Sequence, residues 1–344
     1  MLARVFSLAD LPTTRQRVAI AIGTFDGVHR GHGFIIGALR ELAKGASAAP
    51  MVVMFDYPPA LHFNPELPCE LITLPDERLR LLGEQGIEVI LYLAFDKRIA
   101  SIMAREFLDS VNTSFDVQGL LVGYDHRIGS DMLTRDEDFL RITGQVGIGF
   151  KRVGRKKYGR WTVASSLVRR MIREARLRAA SALLGRHHFV SGVVIEGEHV
   201  GGKSLACPTA NILVPQHKLA PPPGVYAAVA YIAGARGAES GRARAYNAAV
   251  NIMPARCKAV YASEAPDRML VESHFLDFAG DLYGETVRVE FVRRVRPERS
   301  FRSVDALKAQ IELDIEGIRK LDARNVPIPA DEEVRGVLDA EAGE

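Results

Sequence analysis

Gly23-Thr24-Phe25-Asp26-Gly27-Val28-His29-Arg30-Gly31-His32 joins an apolar run, Val18 to Ile22, to a segment in which Ile35, Ala38, Leu39 and Leu42 recur. A short run of Val, Ala and Ile is enough for a buried strand, whereas apolar recurrence at i, i+3, i+4 and i+7 gives a helix one buried face. The quoted residues therefore predict a glycine-rich turn between a strand and a helix start. The first N–H groups of a helix have no partner within it and the dipole there is positive, so the turn suits a phosphate. Gly23, Gly27 and Gly31 let the backbone approach a ligand, and His29 and His32, three apart, are expected to face one phosphate group together. Gly23, Thr24, Phe25, Asp26 and Gly27 are accordingly candidate nucleotide contacts, with His29 and His32 as candidate catalytic residues.

Outward from the turn, Met51 to Phe55 reads as a second strand closed by Pro58-Pro59, Val89 to Leu93 as a third and Leu120 to Val122 as a fourth. Helices are expected from Leu71 to Gly86, starting at Thr73 and Pro75, and from Ser101 through Val111; Thr134-Arg135-Asp136-Glu137 has the spacing of a capping box. Strands alternating with helices imply a parallel sheet with crossovers. Ligands bind such sheets beyond the carboxyl ends of the strands, where the glycine-histidine turn lies. The chain enters a further helix between Thr162 and Arg169, where Ser165, Ser166 and Arg169 supply hydroxyls and a guanidinium for a second phosphate-binding feature.

Near Leu184-Gly185-Arg186 the texture changes, and two-residue alternation replaces the helical pattern. Val225 to Ile232, Ala245 to Ile252, Leu270 to Phe278 and Thr286 to Val292 read as antiparallel strands of a small β-barrel. A helix follows from Ser303, with Leu307, Ile311, Ile315 and Ile318 as its buried face. On the strand around Glu272, Leu270, Glu272, His274 and Leu276 share one face, expected to line the barrel mouth, and Val271, Ser273 and Phe275 share the other. These patterns divide the chain into an α/β domain with a parallel sheet, 1–184, an antiparallel β-barrel domain with a C-terminal helix, 185–325, and a loose tail, 326–344.

The chain has 344 residues, natural for two domains, with 47% hydrophobic and 25% charged residues, a soluble globular balance. Cys69, Cys207 and Cys257 lie far apart, with no Cys-x-x-Cys pair for zinc or redox chemistry. Charge follows Met1 too soon for a signal peptide and no apolar run reaches the ~18 residues of a membrane span, so the cytoplasm is the expected location, with no membrane partner. Lys151, Arg152, Arg155, Lys156, Lys157 and Arg160 form a basic cluster read as a solvated hairpin; at a net charge of +3 no nucleic-acid partner is expected.

The opening stretch resembles the Gly-x-Phe-Asp-Gly-x-His-x-Gly-His signature of the bacterial FAD synthetases, the bifunctional riboflavin kinase/FMN adenylyltransferases. Ala164-Ser165-Ser166-Leu167-Val168-Arg169 is similar to that family's Ser-Ser-Thr-x-Ile-Arg segment, with Ser166 at the threonine position, Val168 at the isoleucine and Arg169 matching. In the second half Pro208-Thr209-Ala210-Asn211 resembles the Pro-Thr-Ala-Asn motif of riboflavin kinases, beside Gly201-Gly202-Lys203. The resemblance implies that Thr209 and Asn211 hold Mg²⁺ and nucleotide phosphates together with Gly202 and Lys203, and that Glu272 is the general base. It also implies flavin contacts from Asp125 and from Arg296 and Glu298 in Arg296-Pro297-Glu298-Arg299-Ser300-Phe301. The implied fold of 1–184 is that of a nucleotidyltransferase, and the implied reactions convert riboflavin to FMN and FMN to FAD, consuming ATP in each, in a monomer or weakly self-associating enzyme.

The match runs in family order from about Val18 to Leu321 and is uneven. Tyr57-Pro58-Pro59 stands for the family's Pro-His-Pro, Gly123-Tyr124-Asp125-His126-Arg127-Ile128-Gly129 lacks both aromatics of Gly-x-Asp-Phe-x-Phe-Gly, and Ala206-Cys207 precedes Pro208 in place of Gly-Phe. The flap Ile-Gly-x-x-Pro-Thr is hardly visible in Ile252-Met253-Pro254-Ala255-Arg256. A degenerate paralogue with one activity, or with flavin or nucleotide binding alone, is the alternative these departures favour.

Overall fold

The structure, a computed structural model, describes residues 3–7, 10–11, 15–64, 66–196, 209–232, 244–258 and 267–342. Its contacts fall into two units, residues 1–165 and 166–344. The sequence boundary was drawn at 184, and the difference is the pair of helices α7 (Ser165–Arg173) and α8 (Leu177–Leu184). α8 packs on the second unit's C-terminal helix and on one of its strands, and Leu177 joins the barrel core.

In the first unit β1 (Arg4–Phe6), β2 (Arg17–Gly23), β3 (Ala49–Phe55), β4 (Val89–Leu93), β5 (Asp116–Val122) and β6 (Gly149–Arg152) form one sheet in the order β1-β4-β3-β2-β5-β6, with every pairing parallel. The chain leaves β2 through α1 (Arg30–Gly45) to β3 on one side, and β5 flanks β2 on the other. The carboxyl ends of β2 and β5 therefore bound the topological switch point, where open α/β sheets bind ligands. One sheet face buries Val18, Ile20, Met51, Val53, Val89 and Leu91 with Phe107, Leu108, Phe139 and Ile142 of α5 (Ala104–Ser114) and α6 (Asp136–Val146). α1 buries Ile36 and Leu39, each fully buried aliphatic being worth about 1.5–3 kcal/mol.

Three local readings are sharpened or corrected. Of the two starts expected for the helix within 71–86, Pro75 is the one used, α3 being Pro75–Glu84: Glu77 accepts from Leu74 N–H while Thr73 is engaged elsewhere. The helix expected to open at Ser101 is two pieces: α4 (Lys97–Ser101), capped by Asp96, ends there, and α5 starts where Asp131 Oδ1 accepts from Ala104 N–H at 2.9 Å. Thr134 to Glu137 is not a capping box. α6 starts at Asp136 behind Arg135, which makes no side-chain cap bond.

In the second unit β9 (His188–Val193), β10 (Ala210–Leu213), β11 (Gly224–Ile232), β12 (Arg244–Pro254), β13 (Met269–Phe275) and β14 (Thr286–Pro297) form an antiparallel sheet in the order β10-β13-β12-β11-β14-β9. Ile195, just beyond β9, bridges to Asn211 of β10, so the sheet curls into a nearly closed barrel. An ideal Cβ on Gly192 would lie 2.6 Å from Ile212, which is why glycine stands where the edges approach. α9 (Val304–Leu321) is capped by Ser303 Oγ and packs Ile315 and Ile318 against Ala227 and Leu276. The tail is not loose: α10 (Val334–Ala342) buries Val334, Val337 and Leu338 and packs on α8.

Candidate functional sites

The turn after β2 is bent at three residues. Phe25, Gly27 and Val28 have φ of +52°, +85° and +37°. For a β-branched valine that conformation is strained and persists only where the surroundings over-determine it. They do so here. Phe25 and Val28 are buried, and buried Asp26 accepts from the N–H groups of Ile72 and Thr73 at 3.1 and 2.9 Å. Gly27 N–H donates to Thr73 Oγ1 at 2.8 Å. The Asp26 carboxylate thus staples the turn to residues 72–73. From below, Arg78, fully buried, donates to the carbonyls of Thr24 at 2.7 Å, Phe55 at 3.0 Å and Asp56, tying the ends of β2 and β3 together.

His29 caps α1. Its Nδ1 accepts from His32 N–H at 3.2 Å, and the two imidazoles stack with centroids 3.7 Å apart and planes 11° apart. With Nδ1 accepting, the ring proton sits on Nε2, which is then a donor at the positive end of a 16-residue helix. A Cβ on Gly31 would fit only tightly, 3.0 Å from the His29 ring and 3.1 Å from the Val163 carbonyl. Ser165 Oγ donates to the Asp26 carbonyl at 2.9 Å, which places that residue on the turn. Ser166, exposed, and Arg169, half-buried, follow on α7 in the second unit.

Beyond β5, Gly123 lies against Ile35 of α1, so the loop holding exposed Asp125 borders the helix carrying the histidines. His126 Nε2 is buried with no hydrogen-bond partner among the described residues, and desolvation pulls the imidazole down to about 4. Arg155 lies over the Tyr124 ring at 3.9 Å. In place of the missing Pro-His-Pro histidine, His62 of α2 (Pro59–Phe63) packs edge-on against Phe63 and Phe95.

In the second unit the β10-β13-β12 register puts Asn211, Glu272 and Asn251 directly opposite one another. Asn211 is buried, and its Oδ1 has no hydrogen-bond partner among the described residues. Glu272 pairs with Lys258 Nζ at 3.1 Å. The two faces of β13 divide as alternation predicts: Val271 and Phe275 fill the core, while Leu270, on the side of Glu272, packs outside it with Ala255. Thr209 is exposed at the start of β10. Gly202 and Lys203 lie outside the described residues. Arg296 donates to Asp314 of α9 at 2.9 Å in a mostly buried pair, so its guanidinium ties β14 to α9, and Glu298 is exposed. Among the described residues no group of three or more His, Cys, Asp or Glu is arranged to hold a metal.

Residues 11–167 match the profile of the FAD synthetase family, and residues 184–321 that of riboflavin kinase. A curated relative from Pseudomonas fluorescens, a bifunctional riboflavin kinase/FMN adenylyltransferase, is 33% identical over 322 residues, covering 93% of this chain and 97% of the relative. The chain belongs to the bifunctional riboflavin kinase/FMN adenylyltransferase family. Another member of that family, from Escherichia coli K12, is 31% identical over 314 residues, covering 90% of this chain and 94% of its own. A crystal structure described as a macrolide-efflux protein from Streptococcus pneumoniae shares the fold at a TM-score of 0.76 and 27% identity, over 92% of this chain and 99% of its own. As a bifunctional riboflavin kinase/FMN adenylyltransferase the chain carries both activities, an adenylyltransferase in the α/β unit and a kinase in the barrel. Sequence reasoning passed over Arg78 and Lys258. Arg78 sits among leucines on an ordinary amphipathic helix, and Lys258 follows a flap without its motif, so neither carried a signal.

Proposed function

We propose that the first unit adenylylates FMN at the β2–α1 turn and that the second phosphorylates riboflavin beside the Asn211–Glu272–Asn251 row, each drawing on ATP. The observation that carries the first is the His29 Nδ1 bond to His32 N–H, because it fixes the ring beside the positive helix start and leaves its proton on Nε2 as a donor for charge that builds on a transferring phosphate. Gly23, Thr24 and Gly27 shape the backbone there, Asp26 acts as the staple, and Ser165 adds a hydroxyl on the turn. Asp125 and the loop around it meet the flavin.

In the barrel the orphaned Asn211 Oδ1 is a hard oxygen beside a carboxylate, a donor set that fits magnesium. Thr209 and Asn211 would hold the ion, which when bound offsets charge between phosphate oxygens. Glu272 accepts the proton of the ribityl hydroxyl, and Gly202 and Lys203 contribute to the nucleotide side. Arg296 acts on the flavin side through its hold on α9, with Glu298 beyond it. We place the enzyme in the cytoplasm as a monomer or weak self-associate without nucleic-acid or membrane partners; among the described residues no helix is long and apolar enough to cross a membrane. Incubation of the purified protein with riboflavin, ATP and Mg²⁺, with chromatographic separation of FMN and FAD, tests the reading. Appearance of FMN followed by FAD supports it, and FAD from supplied FMN without any FMN from riboflavin removes the kinase half.

A further inference from the structure

Lys258 closes the short 3₁₀ turn Ala255–Cys257, and its ammonium lies 3.1 Å from Glu272 Oε1. The turn does not need that contact to keep its place. Ala255 is fully buried with Leu270 and Met253, its N–H donates to the Arg268 carbonyl at 2.7 Å, and Lys258 N–H donates to the Ala255 carbonyl at 3.0 Å. The two side chains are 28% and 18% exposed, and an ion pair that water still reaches adds only about 1 kcal/mol or less. Its cost to the reaction is larger, because a carboxylate oxygen already accepting from an ammonium is a poor base for an alcohol. The groups opposite Glu272 are the neutral amides of Asn211 and Asn251, and among the described residues Lys258 is the cation paired with this row.

Phosphoryl transfer asks a site for positive charge on the transferring group, and lysine meets phosphate as a compact, reorientable point charge. We propose that Lys258 is the phosphate-binding cation of the kinase reaction, held on Glu272 until the triphosphate of the nucleotide arrives and then exchanged onto it, which frees the base. The inference rests on the assignment of Glu272 given above. In the step that follows, the hydroxyl oxygen of riboflavin bonds to the terminal phosphorus and its proton passes to Glu272. The bond from that phosphorus to the bridging oxygen breaks, and ADP leaves with the electron pair. The Lys258 ammonium keeps its protons throughout.

The test compares the parent with Lys258→Met, Lys258→Arg, Glu272→Gln and the double variant Lys258→Met/Glu272→Gln, reading FMN formation, FAD formation from supplied FMN, and Tm. Lys258→Met should lower kcat for FMN by ~10²-fold, the scale of removing one preorganised charge, with the riboflavin KM nearly unchanged. Lys258→Arg should regain most of that loss, and FAD formation and Tm should hold. In the Glu272→Gln background, Lys258→Met should cost a further ~10-fold, since its target is the phosphoryl group as well as the base. An active parent whose Lys258→Met variant keeps its kcat overturns the proposal alone. So does the absence of any further loss in the double variant, or an Arg variant as impaired as Met. A parent that makes no FMN overturns the Glu272 reading, and the proposal with it.

Discussion

His29 Nδ1 accepts the backbone N–H of His32 across 3.2 Å, so one histidine both caps α1 and presents its other nitrogen as a donor. The two roles are separable. Asparagine caps helices well but has no group at the Nε2 position. His29→Asn should therefore keep the parent Tm and lower FAD formation by ~10²-fold, and His32→Ala should cost a similar factor, while FMN formation survives in both. Parallel assays of the two reactions with a thermal melt check this.

Gly31→Ala should act on the same ring from the backbone side. The new methyl would stand 3.0 Å from the His29 ring and 3.1 Å from a carbonyl that cannot yield without moving residue 163. We expect FAD formation to fall by ~10-fold or more through displaced geometry, with FMN formation unaffected. Steady-state kinetics of both reactions decide it.

Arg78→Met should be the most damaging core change in the first unit. It removes a buried guanidinium that serves the carbonyls of Thr24, Phe55 and Asp56, each of which costs about 1–3 kcal/mol when left without a donor. Urea unfolding should show a loss of at least about 3 kcal/mol in that unit, together with a fall in FAD formation as the turn loosens.

The α/β sheet was readable because alternation of short apolar strands with amphipathic helices survives in any context, and the Gly-His turn because a strand, three glycines and a helix start coincide. The fold of the barrel was readable too, and so was which residues of the Glu272 strand share a face, but not which of the two faces is the core. Leu270 and Val271 are both buried, one under the Ala255 turn and one in the core, so alternation alone does not say which side is inside. The bracing role of Asp26 was not legible in the glycine-rich turn. Its partners, the N–H groups of residues 72 and 73, are 46 and 47 positions away. The tail misled through its prolines and acids, since the partner of its three apolar residues, α8, lies about 160 residues earlier, at the separation of the Ala179 N–H contact with Glu341.

Acidification should weaken the protein through buried imidazoles. His126 is held down to about 4 by desolvation, His187 is lowered, and His188 lies well below its ordinary value, burial being the first cause for each. A histidine with a depressed folded value leaves the unfolded chain binding more protons. The stability it contributes is complete above ~6.5 and is lost as pH falls toward the folded value. For His126 the window runs from ~6.5 down to about 4. His126→Phe should therefore narrow the gap in urea-unfolding stability between pH 7 and pH 4.5 relative to the parent.

A fragment starting at Leu183 should aggregate, whereas one starting at residue 166 should fold and phosphorylate riboflavin. The shorter fragment lacks most of α8 and strips cover from Val334, Val337 and Leu338. Size-exclusion chromatography and FMN formation by the two fragments separate the cases.

The α8–α10 pairing also sets an order of events on the ribosome. Residues 1–165 hold every strand of the parallel sheet and are complete when less than half the chain has been made. α8 is synthesised next, but the helix that covers it ends at Ala342. The first unit is thus free to fold during translation, while the second waits with an uncovered apolar helix until the last residues emerge. A cell making this chain is expected to hold an adenylyltransferase fold before a kinase fold, and a stalled or truncated product should fail in the kinase half first.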